Sequence, residues 1–312
     1  MDRVIGSYEG PEAGPLLIVF GAMHGNEPAG VKALEMVFKM LDVEPITNPS
    51  FSFKGKIVGL IGNVHAYARG KRFLLKDLNR QFTPENVAKV KVLPIADLDP
   101  EEIELKELIA QVDHEIEAYP RATRLVFLDL HTTTAFGGIF TIPAQDPESE
   151  RIGIALHAPV VKGLLKGIQG TTLHYFKSEN FNHKVSAVTF ESGQHNEQLS
   201  INRAIAAIIN CMRTIDCVDP GDVENQHDKL LIEFSKTLPK VAQLLYVHPI
   251  KEGDNFEMMP GYKNFISIEK GVLLAKDRHG EIRAKKDGLI LMPLYQKQGE
   301  DGFFLIEMLE AF

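Results

Sequence analysis

Three short stretches carry residue types that hold metal ions and move protons: His24-Gly-Asn-Glu27, Asp129-Leu-His131 and Glu191-Ser-Gly193. Two histidines and a glutamate form a common catalytic zinc set, with one coordination position left for water or substrate. A second glutamate close by could take that water's proton and pass it to a leaving amine. The chemistry suggested is metal-assisted hydrolysis.

Each stretch also has a plainer reading. His24 and Glu27 are three apart, a spacing that lets two side chains share an ion. A surface turn with a glutamate at a helix N-terminus would look the same. Asp129 lies two residues before His131, on the same face of an extended strand. It either orients the histidine by accepting its second N–H or caps the turn that follows. Glu191 is either a functional carboxylate at the end of a buried strand, where an unpartnered charge is costly, or half of an ion pair at the sheet rim. A fourth stretch, Ala68 to Phe82, gathers Arg69, Lys71, Arg72, Lys76 and Arg80 around Asp77 and Asn79. Arginine grips carboxylates with two parallel hydrogen bonds. The stretch therefore reads as part of an anionic-substrate pocket, with a solvated basic loop as the alternative.

The elements that must position these groups can be read from apolar runs and their punctuation. Leu16 to Phe20, Lys56 to Ile61, Arg124 to Leu128, Ile139 to Ile142, Val160-Val161 and Ser186 to Phe190 are strand candidates, several with the continuous apolar character of buried parallel strands. Val31 to Met40, Glu101 to Tyr119 and Asn196 to Cys217 carry helical spacing, and Pro28 suits a helix's first turn. Strands alternating with helices predict an α/β fold with a mixed, mainly parallel sheet flanked by helices. Strand ends in such sheets are where ligands bind. Near Asp219-Pro-Gly-Asp222 the pattern changes. After one more helix around Leu230 to Phe234, short strands follow at Leu244 to Val247, Phe265 to Ile268, Gly271 to Ala275, Leu289 to Met292 and Phe303 to Met308. The expected division is an α/β domain over residues 1–220 and a smaller β-rich domain over 221–312.

Composition narrows the class further. The chain has 312 residues, 44% hydrophobic and 24% charged, which is ordinary for a water-soluble globular protein. A net charge of −8 argues against a nucleic-acid partner held by overall attraction. No apolar run approaches the roughly 20 residues that cross a bilayer, so no membrane partner is expected. The N-terminus lacks a basic region followed by an apolar stretch, so no signal peptide is expected. The two cysteines, Cys211 and Cys217, fall in one expected helix, about 9 Å apart along its axis. A disulfide is not expected between them, and two lone thiols suit a reducing cytoplasm. Oligomeric state is not readable.

Taken in order, Gly21-Ala-Met-His24-Gly-Asn-Glu27, Arg72 with Asp77-Leu-Asn79-Arg80, Asp129-Leu-His131-Thr-Thr and Glu191-Ser-Gly193 resemble the motifs of the succinylglutamate desuccinylase/aspartoacylase family. That family comprises zinc hydrolases related in fold to the zinc carboxypeptidases. The resemblance implies one Zn2+ per chain, held by His24, Glu27 and His131. It implies Glu191 as general base and acid, and Arg72 as the group that polarises the scissile carbonyl and steadies the oxyanion. Asn79 and Arg80 would bind the carboxylate of the amino-acid part of a small anionic N-acyl amino acid, and the C-terminal domain would narrow access. Aspartoacylases carry a further arginine shortly before the catalytic glutamate that grips the acyl group's carboxylate. Here Tyr175 to Val188 contains Lys177, His183 and Lys184 but no arginine, which leaves the acyl preference open. Tyr295 is a candidate for a family tyrosine of the C-terminal domain. Two other readings share the scaffold: a carboxypeptidase-like peptidase, and a catalytically silent binding protein. Retention of both histidines, both glutamates and Arg80 argues against the silent one.

Overall fold

A computed structural model of the chain describes residues 1–222 and 226–309. Residues 223–225 and 310–312, which fall in the expected C-terminal region, lie outside the described residues. In chain order the first part runs β1 (Val4–Glu9), β2 (Glu12–Gly21), α1 (Ala29–Thr47), β3 (Lys54–Ile61), α2 (Val64–Ala68), α3 (Pro84–Val92), α4 (Pro100–Ala118) and β4 (Leu125–Thr133). It continues with β5 (Phe140–Pro143), α5 (Pro147–Ala155), β6 (Val160–Lys162), α6 (Leu164–Gly167), α7 (Thr172–Tyr175), β7 (Val185–Gln194), α8 (Gln198–Thr214) and α9 (Gln226–Ser235). Then come β8 (Val241–Pro249), β9 (Glu257–Met258), β10 (Ser267–Ile268), β11 (Leu273–Asp277), β12 (Gly280–Arg283), β13 (Gly288–Leu291) and β14 (Asp301–Leu309).

Eleven of these strands form one sheet in the order β1-β3-β2-β4-β7-β5-β6-β8-β14-β13-β10. Its centre is parallel: β3, β2, β4 and β7 run together, with β1 antiparallel to β3 and β5 antiparallel to β7 but parallel to β6. The expected α/β sheet is present, and so is the antiparallel C-terminal region. Past residue 220 the same sheet continues: β8 pairs parallel with β6, then β14, β13 and β10 add antiparallel. A separate three-stranded sheet, β12-β11-β9, closes that end.

Strand parity decides which residues meet. Side chains alternate across a strand. Leu16, Ile18, Phe20, Leu125, Phe127, Val185 and Ala187 pack into a core on one face, with residues of α3 and α4. Leu17, Val19, Val126, Leu128, Leu130, Val188 and Phe190 pack into a second core with α1 and α8 on the other. The odd-numbered set of β4 and β7 continues through Asp129, His131, Thr189 and Glu191. Register places His131 directly across from Glu191. The candidate residues thus share a sheet face by arithmetic. Both strands run further than the apolar runs suggested, so His131 and Glu191 lie inside β4 and β7 rather than beyond them. The helix expected over Asn196 to Cys217 is α8, which ends at Thr214 and leaves Cys217 outside it. Both thiols are buried and free.

The basic stretch is held by one buried carboxylate. Asp99 and Glu102 form a capping box at the start of α4, with Pro100 at its first position. That fixes Glu101, fully buried, whose carboxylate accepts the backbone N–H groups of Leu74, Leu75 and Lys76 at 2.7, 3.0 and 3.3 Å. The loop between Arg72 and Asp77 is thereby pinned. Glu101→Ala leaves these donors unmatched and should destabilise the fold by about 2–4 kcal/mol, measured by urea denaturation. A loss below about 1 kcal/mol would contradict the anchoring role.

Candidate active site

The first motif turns sharply out of β2. Gly25 has no room for a side chain, since a Cβ there would sit 2.2 Å from the Ala66 carbonyl carbon. This close approach packs the turn against α2 and leaves His24 and Glu27 facing the ends of β4 and β7. The Glu27 carboxylate is almost wholly buried, with Oε1 2.8 Å from His24 Nδ1 and Oε2 3.2 Å from His131 Nδ1. The Thr132 backbone N–H donates to Oε2 at 2.9 Å. One ligand atom from each of His24, Glu27 and His131 can be chosen so that all lie within 4.8 Å of one another.

The two histidines are arranged alike. Each turns Nδ1 to Glu27 and Nε2 to an aspartate: His24 to Asp77 Oδ1 at 3.1 Å, His131 to Asp129 Oδ2 at 3.1 Å. The second contact is out of line for a hydrogen bond, so His131 Nε2 and Asp129 Oδ1 stay unpartnered among the described residues. Asp129 Oδ2 is in turn fixed by the Thr172 hydroxyl at 2.6 Å. Of the two readings of Asp129, the geometry has the one beside the histidine.

These contacts set the charges. Burial opposes charge on Glu27, yet His24 and His131 hold its carboxyl well below the usual range. Burial opposes charge on Asp77 as well, and His24 and Arg72 more than offset it. Burial also works against charge on His131, but Asp129 and Glu27 raise its imidazole well above the usual range. The cluster is a knot of buried carboxylates that calls for positive charge. Protons on the imidazoles can supply it, and a dication binding the same atoms would displace them. Tetrahedral ligands at about 2.0–2.1 Å from zinc sit about 3.3 Å from each other, a separation that the three donors, within 4.8 Å of one another, can reach by small side-chain movements. The N2O donor set and its spacing fit zinc.

Glu191 stands beside this group without belonging to it. Its Oε2 is buried with no hydrogen-bond partner among the described residues. Burial pushes its carboxyl up to about 8, with the pull of His131 and the repulsion of Glu27 as opposing smaller influences. Arg72 donates from Nε and Nη2 to Asp77 Oδ2 at 3.1 and 2.8 Å, which leaves Nη1 3.8 Å from Glu27 Oε1. Asn79 Oδ1 accepts the Thr172 backbone N–H at 3.1 Å. Arg80 reaches Asp301 of β14 at 2.5 Å and the Asn79 carbonyl at 2.8 Å. Gly170, with φ +66°, lets the chain pass against Arg80, because a Cβ there would meet the Arg80 carbonyl oxygen at 2.2 Å.

All seven residues singled out in the sequence, His24, Glu27, Arg72, Asn79, Arg80, His131 and Glu191, line one cavity of about 100 Å³. Tyr295 does not. Its hydroxyl bonds the carbonyls of Met259 and Tyr262 at 3.0 and 3.1 Å, away from the cavity. Several lining residues carried no motif. His195 lies four residues after Glu191 and bonds the Thr132 hydroxyl at 2.7 Å through Nδ1. Glu300 and Asp301 come from the C-terminal region, as does Gln296, which accepts from Asn26 at 2.8 Å and ties that region to the first motif. The His195 position was findable as a histidine near a candidate base. The C-terminal contributions were not, since they lie more than 200 residues away in the chain.

Because Asp129 touches no metal-facing atom itself, its replacement separates orientation from ligation. Asp129→Asn should weaken zinc binding about 10–100-fold without abolishing it, read by competition with a chromophoric chelator. Unchanged affinity would mean that Asp129 has no part in orienting His131.

Comparison with known proteins agrees with this geometry. Residues 13–215 match the family model described as the succinylglutamate desuccinylase/aspartoacylase catalytic domain. The succinylglutamate desuccinylase of Shewanella sp. strain MR-4 is 27% identical over 281 residues, covering 87% of this chain and 75% of that protein. That of Pseudomonas putida KT2440 is 25% identical over 282 residues, covering 86% and 75%. Among solved structures, the product-bound ectoine utilization protein EutE (DoeB) of Ruegeria pomeroyi superposes with a TM-score of 0.63 at 19% identity, covering 97% of this chain and 87% of that one. A succinylglutamate desuccinylase/aspartoacylase from Rhodobacter sphaeroides gives 0.63 at 15% identity, covering 97% and 88%. With ordered motifs, a shared fold and a family match over most of its sheet, the chain belongs to the succinylglutamate desuccinylase/aspartoacylase family.

Proposed function

We propose that the protein is a zinc-dependent hydrolase that cleaves the amide bond of an N-acylated amino acid. The observation that carries this reading is the convergence of His24 Nδ1, Glu27 and His131 Nδ1 beside an unpartnered buried carboxylate, Glu191. Curated relatives named as succinylglutamate desuccinylases support the substrate class.

In this reading His24, Glu27 and His131 hold the ion, while Asp77 and Asp129 orient the two imidazoles. What zinc supplies when bound is Lewis acidity, which lowers the pKa of water and draws charge from a carbonyl. Glu191 takes the proton of the attacking water and returns it to the departing amine. Burial raises its carboxyl in the metal-free fold, and a bound dication beside it would favour the ionised form that accepts the proton. Arg72, held in plane by Asp77, places a guanidinium donor where negative charge develops on the carbonyl oxygen. Asn79 and Arg80 anchor the carboxylate of the amino-acid part. The products are a free carboxylate and an amino acid.

The test is hydrolysis of a panel of N-acetyl and N-succinyl amino acids and of dipeptides by protein of verified metal content. Chelation should abolish activity and lower the melting temperature, since a ligand that binds only the folded state stabilises it. One equivalent of zinc should restore both. Turnover that survives complete removal of metal would defeat the proposal, and preference for dipeptides would move it to a peptidase.

A further inference from the structure

The cavity is poor in free positive charge. Among its described lining residues the only lysine or arginine side chains are Arg72 and Arg80. Arg72 is clamped through two nitrogens on Asp77, and Arg80 already faces Asp301. His195 is turned to the Thr132 hydroxyl, and burial favours its uncharged form. Carboxylates, by contrast, are plentiful. Beyond Glu27 and Glu191, the cavity wall carries Glu300 and Asp301. Outside the candidate ligand set, the rest of its lining is uncharged: Ile142, Leu165, Ile168, Met292, Leu294 and Phe304 form an apolar wall, with threonine hydroxyls and Gln296 around it.

The cations of Tyr175 to Val188 cannot make up the shortage. Lys184 sits at the start of β7, where its carbonyl accepts the N–H of Leu125. Seven residues of strand separate it from Glu191, about 23 Å at 3.3 Å per residue. Lys177 lies at that same far end, because its neighbour Ser178 binds Val185 through its hydroxyl at 2.9 Å. His183 directly precedes Lys184 and shares its distance.

Resting on the hydrolase reading above, we propose that this enzyme takes N-acyl amino acids bearing a single carboxylate, with an uncharged aliphatic acyl group and an uncharged side chain. Asn79 and Arg80 take the one carboxylate. A second would find no further lysine or arginine among the described lining residues and would meet the carboxylates of Glu300 and Asp301, which act as a repulsive element against dicarboxylates. Two substrates with two carboxylates each are thereby excluded by class, whether the extra charge is on the acyl side or the amine side.

The experiment compares N-acetyl-leucine and N-butyryl-leucine with N-succinyl-leucine and N-acetyl-aspartate on zinc-loaded protein. The monocarboxylates should show kcat/KM higher on the order of 10²-fold. Equal or higher kcat/KM for either dicarboxylate overturns the proposal. Calorimetric titration of zinc-loaded Glu191→Gln protein with the same amides reads binding without turnover. If nothing is hydrolysed by the wild type but the monocarboxylates still bind more tightly, the hydrolase reading fails and the selectivity stands. If none bind, both fall. Ile168→Arg, at a half-buried position on the wall, should shift the ratio toward the dicarboxylates tenfold or more; an unmoved ratio counts against the wall as the selecting surface.

Discussion

Glu191→Gln should lower kcat about 10²–10⁴-fold while zinc content stays at one per chain. Glutamine preserves volume and leaves His24, Glu27 and His131 untouched, but it cannot accept a proton from water. The same variant carries a second, signed consequence in metal-free protein. The Glu191 carboxyl is raised to about 8 in the fold, against about 4.3 in an unfolded chain. A raised carboxyl weakens the fold progressively as pH climbs from the unfolded value through the folded one. Metal-free Glu191→Gln should therefore melt above metal-free wild type at pH 8 and level with it at pH 4. Turnover near wild type would remove Glu191 from the proposed mechanism, and a melting difference of the opposite sign would remove the burial argument.

His131→Ala acts on the ion itself. It removes one of the three proposed protein ligands and strips Glu27 and Asp129 of a shared partner. Losing one member of a buried charged group typically costs about 3–5 kcal/mol, so the variant should bind zinc substoichiometrically after dialysis and unfold at lower denaturant. Elemental analysis and a urea titration read the two effects. His195→Ala is the matched comparison: His195 bonds Thr132 and no proposed ligand, so that variant should keep its metal. Full zinc content in His131→Ala would break the proposed ligand set.

Much of this site was legible in the chain because it is built on parity and strand ends. The apolar runs before Asp129 and up to Phe190 marked two buried strands, and period two then carried Asp129, His131 and Glu191 to a common face. Legibility failed where partners come from far away. Asp77 was noticed for its motif, yet its grip on both His24 and Arg72 depends on the loop that Glu101 pins, and nothing local to Asp77 announces Glu101. Asp301 lies just before the last strand candidate, Phe303 to Met308, and carried no motif. Its carboxylate meets Arg80 only because β14 is laid beside β8. Tyr295 shows the converse error, since an exposed tyrosine in the right region has its hydroxyl engaged by a neighbouring turn.

The pairing of β6 with β8 also bears on how the protein comes into being. β8 and β14 leave the ribosome after the parallel core, and β14 supplies Asp301 and Phe304 to the cavity. The parallel core can assemble earlier, but its β6 edge then lies open, with unpaired N–H and C=O groups that invite pairing with other chains. Closing that edge and completing the pocket are the same event. A chain without β8 and β14 would thus be sticky and incomplete together, its cavity finished only when that edge is closed.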